Sequence, residues 1–160
     1  MIKNPANLYA KGGDYTIKYS AITDIGCVSD TTSKTIALSE PPVGNFEVTS
    51  PDCVNKSVSF TDRSTTATSP ITKWDWNFGD GSAIVSSTTN SNQTHTYNKE
   101  GTYKVALNLV SATGCLSTPF TKNVVISANP IANFVMPENC LSDPFSQFKD
   151  SSTITDGTQG

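Results

Sequence analysis

The chain has 160 residues, a formal net charge of −3, and 16% charged against 36% hydrophobic residues. Its eleven lysines and arginines form no run of three, so the basic patch of a nucleic-acid-binding protein is missing. No apolar stretch approaches the roughly 18 residues of a membrane span, and the first residues lack the apolar segment of a signal peptide. We expect no nucleic-acid partner, no membrane insertion in this segment, and an extracellular or cell-surface location with the export signal outside it.

Alternation of apolar and polar residues with a period of two dominates the chain, and turn-forming residues separate the alternating stretches. Residues 1–38 carry only the end of this pattern, and residues 129–148 restart it. About seven short strands at this spacing predict an all-β fold, an antiparallel β-sandwich of Ig-like type, in the middle of the chain. The apolar positions of its clearest strands are, in order, Phe46 and Val48; Val58 and Phe60; Trp74, Trp76 and Phe78; Tyr103, Val105, Leu107 and Leu109; and Phe120, Val124 and Ile126.

An internal repeat organises the chain. Residues 101–115 repeat residues 13–27 at an offset of 88 residues, which is typical of an array of like units. We therefore predict a tandem array of one complete and two partial units: the C-terminal part of one unit in residues 1–40, a complete unit in 41–128, and the N-terminal part of a further unit in 129–160. The linkers contain proline, which fixes φ, so we expect stiff joints.

Three segments of the middle unit occur in the order that one known family shows. Residues 76–82 read Trp-Asn-Phe-Gly-Asp-Gly-Ser, residues 95–97 read His-Thr-Tyr, and residues 101–107 read Gly-Thr-Tyr-Lys-Val-Ala-Leu. Together they closely resemble the polycystic kidney disease (PKD) domain over residues 42–128. Two positions depart from the family pattern, because Asn77 stands where Asp is usual and Asn7 stands where His is usual.

The resemblance implies an Ig-like sandwich of the kind found in cell-surface and secreted proteins. Its arrays, with a Gly-Cys pair after the long strand, are similar to those of large secreted bacterial surface proteins, including gliding-motility adhesins. We expect structural roles for the residues of the motif, which are Trp76, Phe78, Gly79, Asp80, Gly81, His95, Tyr97, Gly101 and Tyr103.

The polar residues of the motif suggest a turn rather than a reactive site. No Lys follows residues 79–82 as in a phosphate-binding loop, so we predict a tight turn in which Asp80 bonds nearby backbone. His95 is the only histidine, and neither a nucleophile nor an orienting carboxylate marks a catalytic triad around it. Residues 63–70, where some relatives bind calcium, carry no carboxylate, and no cysteine pair has zinc-ligand spacing. We expect no metal, no cofactor and no catalytic residue.

The aromatic residues divide into core and rim. Trp76 and Phe78 are expected to fill the core, and Tyr103 resembles the tyrosine that fixes a corner of Ig folds. Trp74 shares the face of Trp76 but lies nearer the start of the strand, where a sandwich opens. Packing against the core is the expected role of Trp74. Because an exposed indole can stack on sugar rings, Trp74 is also our candidate ligand-contact aromatic.

Regular spacing also marks the cysteines, which are candidates for disulfides in an oxidising compartment. Cys53 precedes the second strand of the unit, whereas Cys115 follows the sixth, and these points lie at opposite ends of an Ig-like sandwich. Since bridged Cα atoms lie within roughly 7 Å, we expect no bond between these two and hypothesise bridges between neighbouring units. The four candidates are Cys27, Cys53, Cys115 and Cys140.

The functional prediction is a non-catalytic structural segment of a secreted cell-surface protein, an adhesin shaft or stalk that gives extension and rigidity. The alternative is a polysaccharide- or protein-binding accessory module of a secreted hydrolase. The expected partners are neighbouring PKD-like units of the same chain and, for the alternative, an extracellular glycan or surface protein.

Overall fold

The computed structural model describes residues 5–49, 53–89, 92–138 and 145–154, and these residues form an all-β protein. They contain no helix, and therefore none that could cross a membrane. The strands are β1 (Gly13–Tyr19), β2 (Thr32–Leu38), β3 (Phe46–Thr49), β4 (Ser57–Asp62), β5 (Ile71–Asn77), β6 (Val85–Ser87), β7 (Gln93–Thr96), β8 (Gly101–Ser111), β9 (Phe120–Ile126), β10 (Phe134–Val135) and β11 (Lys149–Asp150).

Strands β3 to β9 form two antiparallel sheets. One has the order β3-β4-β7 and the other the order β6-β5-β8-β9. The predicted Ig-like β-sandwich is confirmed, with its seven strands in the middle of the described residues. Strands β6 and β7 are short edge strands, and β8 lies between β5 and β9.

A core of aromatic and aliphatic side chains fills the space between the two sheets. Trp76 lies at its centre, with ring centroids 5.1 Å from Phe46 and 5.9 Å from Phe60. Burial of such side chains contributes about 1.5–3 kcal/mol each and is the main term that stabilises the sandwich. The core residues, nearly inaccessible to solvent, are Phe46, Val58, Phe60, Trp76, Phe78, Tyr97, Val105, Leu107, Leu109, Val124 and Ile126.

Two short ribbons flank the sandwich, β1-β2 before it and β10-β11 after it. Their local contacts recur in the sandwich 88 residues away. The hydroxyls of Tyr15 and Tyr103 donate to the carbonyls of Lys11 and Lys99, both at 2.9 Å, and the amides of Asn45 and Asn133 donate to Ser64 Oγ and Ser152 Oγ, both at 3.1 Å.

Candidate functional site

The Gly-Asp-Gly segment is a tight turn that directly follows β5. Gly79 and Gly81 have φ angles of 79° and 84°, in the left-handed region that favours glycine. Asn77 Oδ1 accepts a hydrogen bond from the Gly79 amide at 2.9 Å, and Asp80 Oδ1 accepts one from the Ser82 amide at 3.0 Å. The contact with the Ser82 amide is the bond from Asp80 to nearby backbone that the sequence predicts, and the Asn77 contact holds the start of the same turn.

His95 connects this turn to β7. Its ring stacks on Phe78 with a centroid separation of 4.1 Å and an angle of 4° between the planes, and its Nε2 lies 2.7 Å from Asp80 Oδ2. In a catalytic triad the histidine stands between the hydroxyl and the carboxylate. Here Asp80 lies between Ser82 and His95, so the order of the three residues differs from that of a triad and their contacts hold the turn.

The Asp80 carboxylate is stabilised in its ionised form. Its partial burial opposes ionisation, but the hydrogen bonds from Ser82 and His95 outweigh this and lower the pKa of Asp80 from 3.8 to about 2. A carboxylate with a lowered folded-state pKa stabilises the fold at any pH above its unfolded-state pKa. That stabilisation is lost as the pH falls from about 4 through about 2.

We expect the Asp80→Asn variant to lose this pH-dependent stabilisation. Wild type should lose about 1 kcal/mol of unfolding free energy between pH 4 and pH 2 through this one group, after allowance for solvent screening. The difference between wild type and variant in urea unfolding should therefore shrink over that range. Asp14→Asn, at an exposed position of β1, is the matched control. A constant difference between wild type and Asp80→Asn from pH 5 to pH 2 would contradict the assigned role.

Two tyrosines fix the corner between β7 and β8. The buried Tyr97 donates its hydroxyl hydrogen to the Phe78 carbonyl at 3.1 Å, and burial raises its pKa. The ring of Tyr103 stacks on that of Tyr97 at 4.3 Å, and its hydroxyl bonds the Lys99 carbonyl. Gly101, with a φ of 147°, begins β8 beside them. A tyrosine hydroxyl bonded to the backbone four residues upstream, as in Tyr103, is the contact made by the corner tyrosine of Ig folds.

Trp74 is a half-buried residue at the rim of the core. It packs against the buried cluster, and its Nε1 donates to Asp62 Oδ2 at 2.8 Å. Since the indole N–H already has a partner within the protein, sugar recognition by Trp74 would depend on the part of the ring that reaches solvent. Its role as a ligand contact stays a prediction.

The described residues contain no cluster of metal-ligating side chains. Within the described ranges, no three His, Cys, Asp or Glu side chains lie close enough together to hold a metal ion. Among those same residues, Asp80, His95 and Ser82 form a cluster of catalytic residue types, and their contacts hold the Gly-Asp-Gly turn.

The chain enters the sandwich at one end, which we call the N-terminal pole. There the Glu40 amide donates to Thr68 Oγ1 at 2.9 Å, and the Ala112 amide donates to the Pro70 carbonyl at 2.8 Å. Glu40 also reaches the preceding ribbon, because its Oε1 accepts from the Gly12 amide at 3.0 Å. Glu40 thus contacts the sandwich through its amide and the preceding ribbon through its carboxylate.

The chain leaves at the opposite end, the C-terminal pole. There the Val54 amide donates to the Ser127 carbonyl at 3.0 Å, and the Asn55 amide donates to the Tyr97 carbonyl at 2.8 Å. The eleven residues of β8 run from this pole to the other and span about 34 Å. The linkers that precede and follow the sandwich therefore lie far apart.

Two of the cysteines lie at opposite poles of the sandwich. Cys115 lies at the N-terminal pole beside Ser39, whereas Cys53 lies at the C-terminal pole beside Ser127. Cys27, Cys53 and Cys115 are free thiols in this structure, and Cys140 lies outside the described residues. The disulfides expected from the sequence are thus absent from the described part, and pairing between units stays a prediction.

Two acidic residues make contacts that the sequence pattern does not indicate. Glu40 lies at a predicted boundary between units, and nothing in the sequence marks Asp62. Their partners, Gly12 and Trp74, lie 28 and 12 residues away. Strand alternation says which face a residue occupies, but these contacts depend on which elements become neighbours.

The central part of the chain is similar to known proteins. A family model described as "PKD domain" matches residues 39–126. A microbial collagenase of Vibrio alginolyticus is 36% identical over 88 residues, which make up 54% of this chain and 10% of the collagenase. The chain thus spans only a small part of that relative.

Solved structures similar to this chain include three β-sandwich domains. The PKD1 domain of Vibrio anguillarum Epp is 26% identical, with a TM-score of 0.45 over 55% of this chain and 98% of that domain. The PKD1 domain from the Vibrio cholerae metalloprotease PrtV is 23% identical, with a TM-score of 0.47 over 54% and 98%. A structure of carbohydrate-binding modules from the β-sandwich superfamily is 21% identical, with a TM-score of 0.52 over 69% and 53%, a likeness of fold alone.

Proposed function

Because this chain belongs to the PKD domain family, we propose that it is a non-catalytic spacer module of a secreted bacterial protein. The observation that carries the proposal is the position of the two linkers at opposite poles, with the length of β8 between them. A module of this form holds the segments before and after it apart and in line. The residues most suited to chemistry, Asp80 and His95, are engaged in the turn.

The flanking ribbons are, in this proposal, parts of neighbouring units with boundaries at 1–40, 41–128 and 129–160. Their exposed apolar side chains support it, because these are buried at the equivalent positions of the sandwich 88 residues away. Such faces would be covered by the remaining strands of their own units. Phe134 and Phe148 are 59% and 61% exposed whereas Phe46 and Phe60 are 1% and 0% exposed, and Ile17 and Tyr19 are 44% and 56% exposed whereas Val105 and Leu107 are fully buried.

The junction at the N-terminal pole is suited to resist bending. Glu40 joins the preceding ribbon through Gly12 and the sandwich through Thr68, and two prolines follow it in the sequence. Each contact is modest, about 1 kcal/mol, but together with the fixed φ of proline they limit rotation about the linker. This favours a rod of successive units over a flexible string.

Two kinds of parent protein would use such a rod. An accessory module of a secreted hydrolase is favoured by the matched microbial collagenase. The shaft of a surface adhesin is the second candidate, and the recurrence of contacts at 88 residues favours it, because a shaft requires repetition. In either parent we propose an extracellular location.

Small-angle scattering of a two-unit chain tests the spacer role. Two copies of residues 39–126 joined head to tail keep the 88-residue period and contain two complete cores. Units arranged end to end should give a radius of gyration of about 25 Å, whereas a compact globule of this length would give about 16 Å. A value near the compact limit would refute the proposal.

Co-sedimentation separates the spacer from the binding module. We expect no retention of the two-unit chain on insoluble collagen, cellulose or chitin, because Trp74 is half-buried and already bonded to Asp62. Retention that is lost in a folded Trp74→Ala variant would instead establish the ligand-binding alternative.

A further inference from the structure

We propose that in a tandem array Cys53 of each unit forms a disulfide with the turn cysteine, equivalent to Cys115, of the following unit. The inference rests on the tandem arrangement proposed above and adds a covalent link at a defined place. It identifies each junction between units as a site of oxidative cross-linking.

At the N-terminal pole, Cys115 faces the incoming linker. Its Sγ lies 3.7 Å from the carbonyl oxygen of Ser39, and its amide bonds Ser111 Oγ at 3.1 Å, which holds the turn after β8. The thiol is half-buried and lies beside the point where the preceding unit ends. A sulfur at this position is directed at the neighbouring unit rather than at its own core.

At the C-terminal pole, Cys53 flanks the outgoing linker. It forms a parallel bridge with Ser127, and the amide of Val54 bonds the same serine carbonyl. Residues bridged in this way have Cα atoms about 5 Å apart. The Cys53 thiol is half-buried and free.

Cys115 and Cys53 lie beside serines that occupy equivalent positions of the repeat. Ser39 follows β2 and Ser127 follows β9, 88 residues later, at equivalent positions of successive units. If the contact of Cys115 with Ser39 recurs at the next junction, the turn cysteine of the following unit meets Ser127, where Cys53 already lies. The two Cα atoms then fall near the roughly 7 Å range that a disulfide requires.

Other pairings do not fit. Within one unit, Cys53 and Cys115 lie at opposite poles, separated by the length of β8, and both are free. Cys27 occupies the equivalent turn position of the preceding unit, where its amide bonds Thr23 Oγ1 at 3.0 Å. It would therefore pair across the junction before its own unit.

The bond forms by thiol–disulfide exchange. One cysteine thiolate attacks a low-molecular-weight disulfide such as oxidised glutathione and releases one glutathione. The second cysteine thiolate then displaces the other glutathione from the mixed disulfide. Two protein thiols become one disulfide, and the oxidant is reduced to two thiols that carry the two hydrogens.

The test uses the two-unit chain in a glutathione redox buffer. The junction-pair variant carries Cys115→Ser in the first copy and Cys53→Ser in the second, so that only the proposed partners remain. The outer-pair variant carries Cys53→Ser in the first copy and Cys115→Ser in the second, which leaves thiols at the two far ends. We expect an equilibrium constant for oxidation at least about tenfold higher for the junction pair, because only these thiols share a high effective concentration. Thiol titration and the mass of the joined peptides measure it.

The inference is overturned if the junction pair keeps both thiols, or if the outer pair oxidises to the same extent. Scattering on the same samples separates this failure from that of the spacer role. If the two-unit chain is extended but its junction thiols stay reduced, only the disulfide proposal is refuted. If the chain is compact, both the disulfide proposal and the spacer role are refuted.

Discussion

Replacing Trp76 with alanine is expected to cost about 3–5 kcal/mol of unfolding free energy, the range for truncation of a buried large aromatic. The side chain is fully buried between the sheets and contacts Phe46 and Phe60 on the opposite sheet. Because small domains have only about 5–15 kcal/mol in total, the variant should be marginally folded or unfolded at 37 °C. Urea unfolding followed by far-ultraviolet circular dichroism measures the loss.

Trp74→Ala is the matched control, since Trp74 lies two residues away on the same strand and the same face. It is half-buried and has one hydrogen bond, to Asp62, so its truncation should cost about 1–2 kcal/mol. Equal losses in the two variants would contradict the assignment of Trp76 to the centre of the core and of Trp74 to its rim.

Where burial is one-sided, the sequence predicts the fold well. Alternation at Trp74, Trp76 and Phe78 identifies β5 and its inward face, since only a strand places every second side chain on one side. The glycines after β5 predict the turn because few other residues adopt a positive φ. The 88-residue period also predicts β1 and β2, which begin 88 residues before β8 and β9.

Strand pairings and side-chain contacts between residues distant in sequence could not be predicted in this way. β6 and β7 are edge strands with mostly polar residues, so they carry little alternation and become visible only through their pairing with β5 and β4. The contact of His95 with Asp80 requires β7 to lie opposite the end of β5, and that depends on the registers of two sheets. In the same way, the contact of Glu40 with Gly12 exists only once β2 has paired with β1.

The second large loss of unfolding free energy is expected when Gly79 is replaced by alanine. Alanine there must adopt a φ of 79°, and its Cβ would lie 2.5 Å from the carbonyl oxygen of Lys104 in β8. Backbone strain of about 1–2 kcal/mol and a steric clash of about 1–3 kcal/mol add to an expected loss of about 2–5 kcal/mol. Lys104 cannot move away without disturbing the pairing of β8 with β9 at Asn123. Urea unfolding of Gly79→Ala measures this loss.

Gly81→Ala separates the two causes. Its φ of 84° imposes similar strain, but a Cβ there would meet no atom within 4 Å, so only about 1–2 kcal/mol should be lost. The difference between the two variants in lost unfolding free energy is then the cost of the steric clash between residue 79 and β8. If Gly81→Ala proved as damaging as Gly79→Ala, backbone strain alone would account for both glycines. A larger loss at Gly79 would show that the turn is glycine-rich for two reasons, since one glycine permits the bend and the other also allows the turn to pack against the longest strand of the sandwich.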